Sequence, residues 1–545
     1  MDFSRATAGV LSGLLLAACG GGSGSGGSSP PPSSSPPPTP QQPAPEPTVQ
    51  VSVTSSNVDL DLAEGDAFPV KVAATWSATN LPSASSVYFQ IADASSRFQI
   101  HAPQLATAGS DFTIETAPDV GPGTYEGTLT VRACKDSACA QTYAGTSGSI
   151  TYALRVSAVA DWETHQRDAG HTGYVPIWLN ASKFAEAWRW QRPADGEPIG
   201  GINAVVTSDK TVYLSKDVYF GEGALIALNE EDGLEAWRVS FGSVPALGPP
   251  AVKGGNVYVA TTGHQDTFLW RFNADTGAFL GKSAFAGQWP HTLNPTVFED
   301  RVYVGAGYFG GITYSFSTLD GAAVWEYASG GAWDLFTPAV NEQYVYHYNG
   351  ASLHVVDKVT GVAAHTIADP FGGSSGYAYH GSPMLGSRNN VLAYAGGAFS
   401  GRASSSAEHY DQRVLSSFDV SANMRYEWST SYAYLTAPAI ADETIYVARN
   451  SPMSLDAIDE TTGQIVWSWK PEGQGDSSFH RNIVVTRNLL FVSTDVAVYA
   501  LDLETREVRW RYPQPGMLAI SADRTLYIAT GATASDGGLV AVKLQ

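Results

Sequence analysis

One strand pattern, an aromatic or large apolar residue between β-branched and apolar neighbours, recurs eight times in the second part of the chain. Consecutive copies are separated by 45, 45, 43, 46, 54, 45 and 36 residues. Such a period matches one four-stranded blade of a β-propeller, in which each unit buries its faces against its neighbours. The spacing therefore predicts an eight-bladed β-propeller over residues 161–545. The central residues of the eight copies are Tyr213, Tyr258, Tyr303, Tyr346, Leu392, Tyr446, Phe491 and Tyr527.

Most units continue with a strand, a tight turn and a second strand. A polar residue four positions before the turn glycine can accept hydrogen bonds from turn amides, and the glycine can take the positive φ that closes the turn. Several units place a tryptophan four residues after the glycine, and we expect these rings to fill the gaps between blades. The polar residues are Asn229, Asn273, Ser317, Asp357 and Asp459, the glycines are Gly233, Gly277, Gly321, Gly361 and Gly463, and the tryptophans are Trp237, Trp325 and Trp467, with Trp428 and Trp510 in divergent units.

The last unit is one strand short of a complete blade. It ends at Leu539–Gln545, whereas residues 184–190, with the sequence FAEAWRW, match the outer strands of other units. Pairing between these two segments would close the ring and leave no long open edge. The sequence therefore predicts that residues 184–190 complete the eighth blade.

Residues 49–158 contain short alternating stretches separated by turn residues, which is the pattern of an all-β sandwich. We interpret this region as an immunoglobulin-like β-sandwich that precedes the propeller, so that the whole chain is all-β. Cys134 and Cys139 flank a four-residue turn and would form a disulfide if the two arms pair as a hairpin. Two free thiols or half of a metal site are the alternatives, although no histidine or further cysteine stands nearby.

Residues 10–18 are apolar but too few to span a bilayer, and they lead directly into Cys19. The last residues of this run resemble the lipobox of bacterial lipoproteins. The resemblance implies a signal peptide at residues 1–18 and a lipid on Cys19 that anchors the protein to the outer membrane, facing the periplasm or the cell surface. Residues 19–48, rich in Gly, Ser and Pro, would then be a tether. An ordinary signal peptide or a buried apolar segment is the alternative.

The chain has 52 acidic and 31 basic residues, a formal net charge of −21, and no cluster of lysines or arginines interrupts this excess. A surface of this charge repels phosphate backbones, so nucleic acid is not an expected partner. The sequence also lacks a His-Glu-x-x-His helix motif and a phosphate-binding loop. These features favour a binding or scaffolding protein over an enzyme.

The best-matching repeat runs from Ala457 to Gly463 and is followed by Trp467. It resembles the repeat of the pyrroloquinoline-quinone (PQQ)-type β-propeller family. Residues 161–176, DWETHQRDAGHTGYVP, resemble the segment that precedes the first blade in bacterial members. The resemblance implies an eight-bladed propeller, a fold that serves many activities.

Two branches of this family imply different functions. Quinoprotein dehydrogenases hold their quinone over a calcium ion and carry adjacent cysteines, whereas this propeller contains no cysteine. The branch of outer-membrane assembly lipoproteins shares the lipobox and the eight blades, although the Pro-rich tether and the sandwich are additions here. The resemblance to that branch implies a non-enzymatic scaffold without PQQ or calcium, whose partners are envelope proteins such as barrel-assembly components. A quinoprotein-like oxidoreductase and a carbohydrate-binding or adhesion module are the alternatives.

Polar and aromatic residues stand just before the innermost strands of several blades. Loops at these positions share one face of a propeller near its axis, where ligands commonly bind. Imidazoles, a carboxylate and aromatic rings together suit a sugar, a peptide or a metal, although we assign no metal site to them. Rim residues bonded to their own loops are the alternative. These candidate residues are His291, Asp334, His380, Tyr434, His480, Trp289 and Trp333. Residues 396–412, an insertion in the fifth unit, are expected to form an exposed loop.

Overall fold

The computed structural model describes residues 45–54, 57–99, 102–107, 109–191, 202, 204–218, 220–263, 267–287, 293–305, 311–330, 337–371, 382–395, 413–473, 475–530 and 537–545. In this part of the chain the regular structure consists of β-strands and one short 3₁₀ turn, Ala181–Lys183. The predicted all-β fold is confirmed. Within the same ranges, no helix has the length and apolar character needed to cross a membrane.

The amino-terminal domain is a sandwich of two sheets around one apolar core. Alternate residues of the strand Gly148–Ser157 are buried, as expected for a sheet with one face on the core. Edge-to-face packing of Phe89 and Phe112, whose ring centroids are 5.5 Å apart, contributes to this core. In spatial order, one sheet contains Thr48–Val53, Pro69–Thr79, Gly109–Thr116 and Phe98–Gln99, and the other contains Asn57–Ala63, Gly148–Ser157, Gly123–Cys134, Tyr88–Ala92 and Gln104–Leu105.

Two local features of the sandwich bear on its sequence interpretation. The Tyr125 hydroxyl donates to the carbonyl of Gly121 at 2.9 Å, a contact similar to the tyrosine corner of immunoglobulin-type sandwiches. The immunoglobulin-like assignment itself stays a prediction. Cys134 and Cys139 are joined by a disulfide with their Cα atoms 5.0 Å apart. The Asp136 carboxylate between them accepts hydrogen bonds from three amides of the same turn.

The first four blades of the propeller follow the chain without crossover, each strand pairing antiparallel with the next. Blade 1 contains Val205–Ser208, Thr211–Lys216, Gly221–Asn229 and Glu235–Val244. Blade 2 contains Ala246–Leu247 and Ala251–Lys253, which both pair with Asn256–Thr262, then Phe268–Asn273 and Phe279–Ala284. Blade 3 contains Thr296–Phe298, Arg301–Gly305, Ile312–Ser317 and Ala323–Ala328, and blade 4 contains Ala339–Val340, Tyr344–Tyr348, Ser352–Asp357 and Ala363–Ala368.

The remaining blades repeat this order, with additions from the segment that precedes blade 1. Blade 5 contains Met384–Leu385, Asn390–Ala395, Arg413–Asp419 and Arg425–Tyr434, and blade 6 contains Ala439–Ala441, Thr444–Asn450, Met453–Asp459 and Ile465–Trp469. Blade 7 contains Phe479–Thr486, Leu489–Thr494, Val498–Asp502 and Val508–Tyr512, with Tyr174–Val175 added in parallel to its first strand. Blade 8 contains Met517–Ile520, Thr525–Thr530, Gly538–Lys543 and Ala185–Gln191.

The predicted closure of the ring is confirmed. The strand Ala185–Gln191 pairs antiparallel with Gly538–Lys543, so a strand from before blade 1 supplies the outermost strand of blade 8. Because the two ends of the ring are hydrogen-bonded to each other, no blade edge is left unpaired at the junction. All eight central residues of the repeat are buried, each at most 7% exposed.

Tryptophans of the outermost strands pack against the next blade, as predicted. The indole Nε1 of Trp237 donates to the carbonyl of Ala274 in the next blade at 2.9 Å, and its ring lies so close to Gly277 that any side chain there would collide. In blade 7, Arg506 replaces the glycine, keeps a φ of 64° and lies 5.7 Å from the centre of the Trp467 ring. The same tryptophan-on-glycine contact occurs between Trp325 and Gly361, Trp428 and Gly463, and Trp188 and Gly233.

Candidate binding sites on the propeller axis

Residues 161–176, here called the axial segment, fill the centre of the ring. Their carbonyl groups accept hydrogen bonds of 2.8–2.9 Å from the first-strand amides of six blades. The other two blades are reached by side chains, since Thr164 Oγ1 donates to the carbonyl of Pro295 in blade 3 and Asp161 accepts from the amide of Ala522 in blade 8. The six pairs are Trp162 with Thr207, Glu163 with Val252, Ala169 with Val340, Gly170 with Leu385, Thr172 with Ile440 and Gly173 with Val485.

Polar side chains of the axial segment are buried and satisfied by the blades around them. Gln166 Nε2 donates to the carbonyl of Pro438 at 2.8 Å, and its Oε1 accepts from Asn482 at 2.7 Å. His171 Nδ1 donates to the carbonyl of Pro383 at 2.7 Å. Such contacts offset the cost of burying polar groups, so the segment is an integral part of the propeller.

Two histidines of the axial segment, His165 and His171, lie in contact with each other, with ring centroids 5.2 Å apart. Burial lowers the pKa of His171 to about 4, and burial together with the neighbouring His171 lowers the pKa of His165 well below its usual value. Both rings are therefore neutral at pH 7. The enclosed space beside His165 measures only about 10 Å³, which is room for one water molecule.

Two of the predicted binding residues on the axial face lie within the described part of the chain. Tyr434 is fully buried, and its hydroxyl donates to Asp456 at 2.8 Å. Asp456 also forms a buried ion pair with Arg449 at 2.8 Å. These contacts are those of a structural residue, and a binding role for Tyr434 stays a prediction.

His480 is half-buried, and its Nε2 lies 2.9 Å from the hydroxyl oxygen of Ser478. Tyr434 and His480 thus contact different residues, Asp456 and Ser478. The other predicted binding residues, the lipidated cysteine and the blade 5 insertion lie outside the described residues: His291, Asp334, His380, Trp289, Trp333, Cys19 and residues 396–412.

A larger cavity opens beside the axial segment. It lies on the side of the ring opposite to the predicted binding residues, where an inner turn joins the first and second strands of each blade. It has a volume of about 460 Å³, within the range of small-molecule and peptide pockets. We call it the acidic cavity. Its lining residues are Asp168, Gly170, Thr172, Tyr174, Phe298, Val340, Asn341, Glu342, Leu385, Gly386, Ser387, Ile440, Ala441 and Asp442.

The acidic cavity combines an apolar wall with carboxylates. Apolar side chains from the first strands of blades 4, 5 and 6, Val340, Leu385 and Ile440, form the wall. Asp168 is already engaged by Arg167, at 3.4 Å, and by Thr172. Glu342 and Asp442 lie exposed in the inner turns of blades 4 and 6.

The sandwich covers another part of the same side of the ring. Glu64, which is fully buried, forms an ion pair with Arg524 in the inner turn of blade 8, with 2.5 Å between Oε1 and Nε. Asp66 pairs with Arg487 after the first strand of blade 7 at 2.8 Å. Gly65 between them approaches the carbonyl of Pro176 so closely that a Cβ atom would lie 2.3 Å from the oxygen.

Sequence reasoning missed both the axial segment's position and the acidic cavity. The sequence signal for the axial segment was a polar, histidine-containing stretch at residues 161–176 that fits neither the sandwich pattern nor the repeat. The signal for the acidic cavity was the recurrence of acidic residues just after the first strand of a unit, as at Glu342 and Asp442.

Comparison with solved structures gives matches of low sequence identity. One is described as the crystal structure of BamB from Moraxella catarrhalis, with 15% identity, a TM-score of 0.47, and coverage of 66% of this chain and 99% of that chain. Another is a computationally designed protein, Ika8, with 14% identity, a TM-score of 0.48, and coverage of 64% of this chain and 96% of that chain. A search of curated proteins gives no match.

Comparison with family models is more informative. A model described as outer membrane protein assembly factor BamB matches residues 179–280, 269–469 and 436–545. These overlapping segments span the propeller from the 3₁₀ turn before its closing strand to its last residue, and they cover more than half of the chain. The resemblance inferred from the repeat is thereby confirmed, and the chain belongs to this BamB family of PQQ-type β-propellers.

Proposed function

We propose that this protein is a lipid-anchored, non-enzymatic scaffold of the bacterial envelope, in which the propeller binds other envelope proteins. The observation that carries the proposal is that the axis of the ring is filled by the chain itself, whereas a cavity beside the axis is open. The chain's own residues 161–176 occupy the axis, while an open, partly apolar cavity of about 460 Å³ lies beside them. An open cavity with an apolar wall is suited to a protruding part of a partner.

Membership in the BamB family supports partners among the outer-membrane barrel-assembly components, because the family's description names outer membrane protein assembly. The leader supports the location. Lipid on Cys19 would hold the chain at the outer membrane, and residues 20–48 would let the folded part stand away from the lipid surface.

The proposal includes no cofactor and no catalysis. The propeller sequence contains no cysteine and therefore lacks the adjacent pair of the quinoprotein dehydrogenases. A Gly-x-Ser-x-Gly spacing occurs at residues 372–376, but it falls between the strands Ala363–Ala368 and Met384–Leu385. Residues 372–376 lie outside the described residues, and the proposal assigns this spacing no catalytic role.

The test is chemical crosslinking in outer membranes, followed by purification of the full-length protein and identification of the crosslinked proteins. We expect barrel-assembly components to be recovered. A Cys19→Ser variant should leave the membrane fraction and lose them, which would separate anchoring from non-specific capture. Recovery of glycans alone, or of no envelope protein, would contradict the proposal.

A separate measurement addresses the enzyme alternative. Purified protein is titrated with PQQ and with calcium while absorbance and melting temperature are followed. We expect no shift at stoichiometric ligand. A saturable shift would contradict the non-enzymatic assignment and favour a quinoprotein-like oxidoreductase.

A further inference from the structure

We infer that the acidic cavity binds a partner segment in which an arginine or lysine is flanked by apolar residues. The inference rests on the proposed role of the propeller in protein binding, and it names the chemistry of the bound segment and the place where it binds.

The wall of the acidic cavity determines the apolar part of the bound segment. Val340, Leu385 and Ile440 stand side by side because they occupy equivalent positions in the first strands of adjacent blades. Their backbone amides are already bonded to the axial segment. The wall is therefore held in place before any partner arrives, and preorganisation of this kind lowers the entropic cost of binding.

The charge of the acidic cavity determines the polar part of the bound segment. Its lining residues include three carboxylates and no lysine, arginine or histidine. Asp168 is compensated by Arg167, whereas Glu342 and Asp442 belong to exposed turns. A cation placed between these carboxylates and the apolar wall would gain Coulomb attraction, while an anion would be repelled.

Cations in the surroundings of the cavity have partners of their own. Lys358 forms an ion pair with Glu299 at 2.5 Å. Arg388, in the inner turn of blade 5, lies 3.4 Å from Glu427 and donates to the carbonyl of Glu460. Within the described part of the chain, no ion pair engages Glu342 or Asp442, so these two carboxylates are left for an external cation.

The chain itself offers poor alternatives as the bound segment. Residues 20–48 contain a single charged residue, Glu46, and so carry no cation for the cavity. A second copy of a protein with a net charge of −21 would be repelled at long range. A cationic, apolar segment of a different protein is the occupant that fits both the wall and the charge.

The experiment uses fluorescein-labelled peptides and the full-length protein. The probe is Gly-Leu-Arg-Leu-Arg-Leu, and the matched peptide replaces both arginines by glutamate. Binding is measured by fluorescence anisotropy at low and at physiological salt, because attraction between exposed charges weakens as salt is added. We expect the arginine peptide to bind at least about tenfold more tightly than the glutamate peptide, a difference of about 1.4 kcal/mol.

Paired variants locate the site. In the test variant, Glu342→Gln and Asp442→Asn remove the two cavity charges, and asparagine tolerates the φ of 48° at residue 442. The control variant, Asp209→Asn with Glu231→Gln, removes the same net charge from turns of blade 1, where residue 209 has a similar φ of 47°. We expect the test variant to lose at least about tenfold in affinity and the control to lose less than about twofold, with unchanged melting temperatures.

Several outcomes would overturn the inference. Equal losses in the two double variants would show a general response to charge, and an undiminished affinity in the test variant would place the peptide elsewhere. Absence of binding to the parent protein, or tight binding of the glutamate peptide, would contradict the assigned chemistry. A dimer, detected by sedimentation, that dissociates only in the test variant would identify a second copy of the chain as the occupant.

The membrane crosslinking experiment, repeated with the test variant, separates the two proposals. If the variant recovers the same envelope proteins as the parent, the scaffold function stands and the cavity inference fails. If the parent recovers no envelope protein although the arginine peptide binds at the cavity, the proposed function fails alone.

Discussion

Inner turns occur at equivalent positions in every blade, yet blades 7 and 8 present arginines where blades 4 and 6 present carboxylates. Arg487 and Arg524 form ion pairs with carboxylates of the sandwich, which covers this part of the ring, here called the covered half. Glu342 and Asp442 line the acidic cavity, and this half is open. The two parts thus differ in charge at the turns that matter for each: arginines meet the carboxylates of the sandwich, and carboxylates face the open cavity.

The covered half also shows how unequal two neighbouring ion pairs are. Glu64 is fully buried and Arg524 is 6% exposed, whereas the side chains of Asp66 and Arg487 are 39% and 32% exposed. Removing one partner of a buried pair leaves an uncompensated charge, while an exposed pair is screened by water. We therefore expect the two pairs to respond very differently to substitution.

The largest effect is expected for Arg524→Ala, which leaves Glu64 buried without its partner. We expect the free energy of unfolding to fall by about 3–5 kcal/mol, measured by denaturant unfolding. A Glu64→Leu and Arg524→Leu double variant should recover much of this loss, because it removes both charges. A loss below about 1 kcal/mol in the single variant would show that the sandwich is not held to blade 8 in this way.

The next-largest effect is on the pH dependence of stability and concerns the axial segment, whose carbonyl groups bond to the wall of the acidic cavity. His171 has a pKa of about 4 in the folded protein, against about 6.5 when unfolded, so acidification protonates the unfolded state first. The stability of the parent should therefore fall as the pH drops from 6.5 towards 4. His171→Gln removes this contribution, and we expect its loss of stability between pH 7 and 4.5 to be smaller than that of the parent by about 2 kcal/mol.

Other buried groups also contribute to this pH dependence. Burial raises the pKa of Asp217 to about 6, which acts in the opposite direction, and burial lowers the pKa of His347 to about 3. Both groups are present in parent and variant, so they cancel in the difference between the two. His165 does not cancel, because His171 contributes to lowering its pKa; removing His171 relieves that contribution, which acts in the same direction as the expected difference. His365→Gln, at an exposed position of blade 4, is the control and should follow the parent. Identical pH profiles for His171→Gln and the parent would contradict the account.

A smaller effect, on peptide affinity, is expected when the inner turn of blade 6 is given the positive charge found in the inner turns of blades 7 and 8. Asp442→Arg places a cation in the acidic cavity, as in the inner turns of blades 7 and 8. We expect the arginine peptide to bind at least about tenfold more weakly, a change of about 1.4 kcal/mol. The melting temperature should fall slightly, because arginine is less favourable than aspartate at the φ of 48° of residue 442. Unchanged peptide affinity would show that turn charge does not distinguish the two halves.

The smallest effect is expected at the exposed pair of the covered half. Arg487→Gln keeps a donor near the carbonyl of Pro176 and removes the attraction to Asp66. The free energy of unfolding should fall by less than about 1 kcal/mol, and the difference should shrink further as salt is added. A loss as large as that of Arg524→Ala would mean that both pairs contribute equally to holding the sandwich.

Much of the fold was predictable because it repeats. Tyr213 and its equivalents mark a buried strand at a fixed period, and Trp237 with Gly277 shows how one blade contacts the next. The closing strand Ala185–Gln191 was recognisable because it has the sequence of an outer strand in an unexpected place. Periodic burial leaves a periodic trace in the sequence.

The features that interrupt the repeat were not predictable in this way. Glu64 and Arg524 are separated by 460 residues, and only the folded ring brings them together. The axial segment bonds to all blades mainly through its backbone, which leaves little pattern in its side chains. The position of Tyr434 before a strand predicts a binding role, but its hydroxyl bonds to Asp456, whose side chain comes from the next blade.

Carboxyl labelling followed by mass spectrometry tests the contrast between the two halves most directly. A water-soluble carbodiimide with an amine modifies accessible carboxylates of the folded protein, with and without the Gly-Leu-Arg-Leu-Arg-Leu peptide. We predict that Glu342 and Asp442 are labelled rapidly and Glu64 is not, and that the peptide protects Glu342 and Asp442 but leaves Asp209 unchanged. Labelling of Glu64 as fast as that of Asp442, or equal protection of Asp209, would contradict the account.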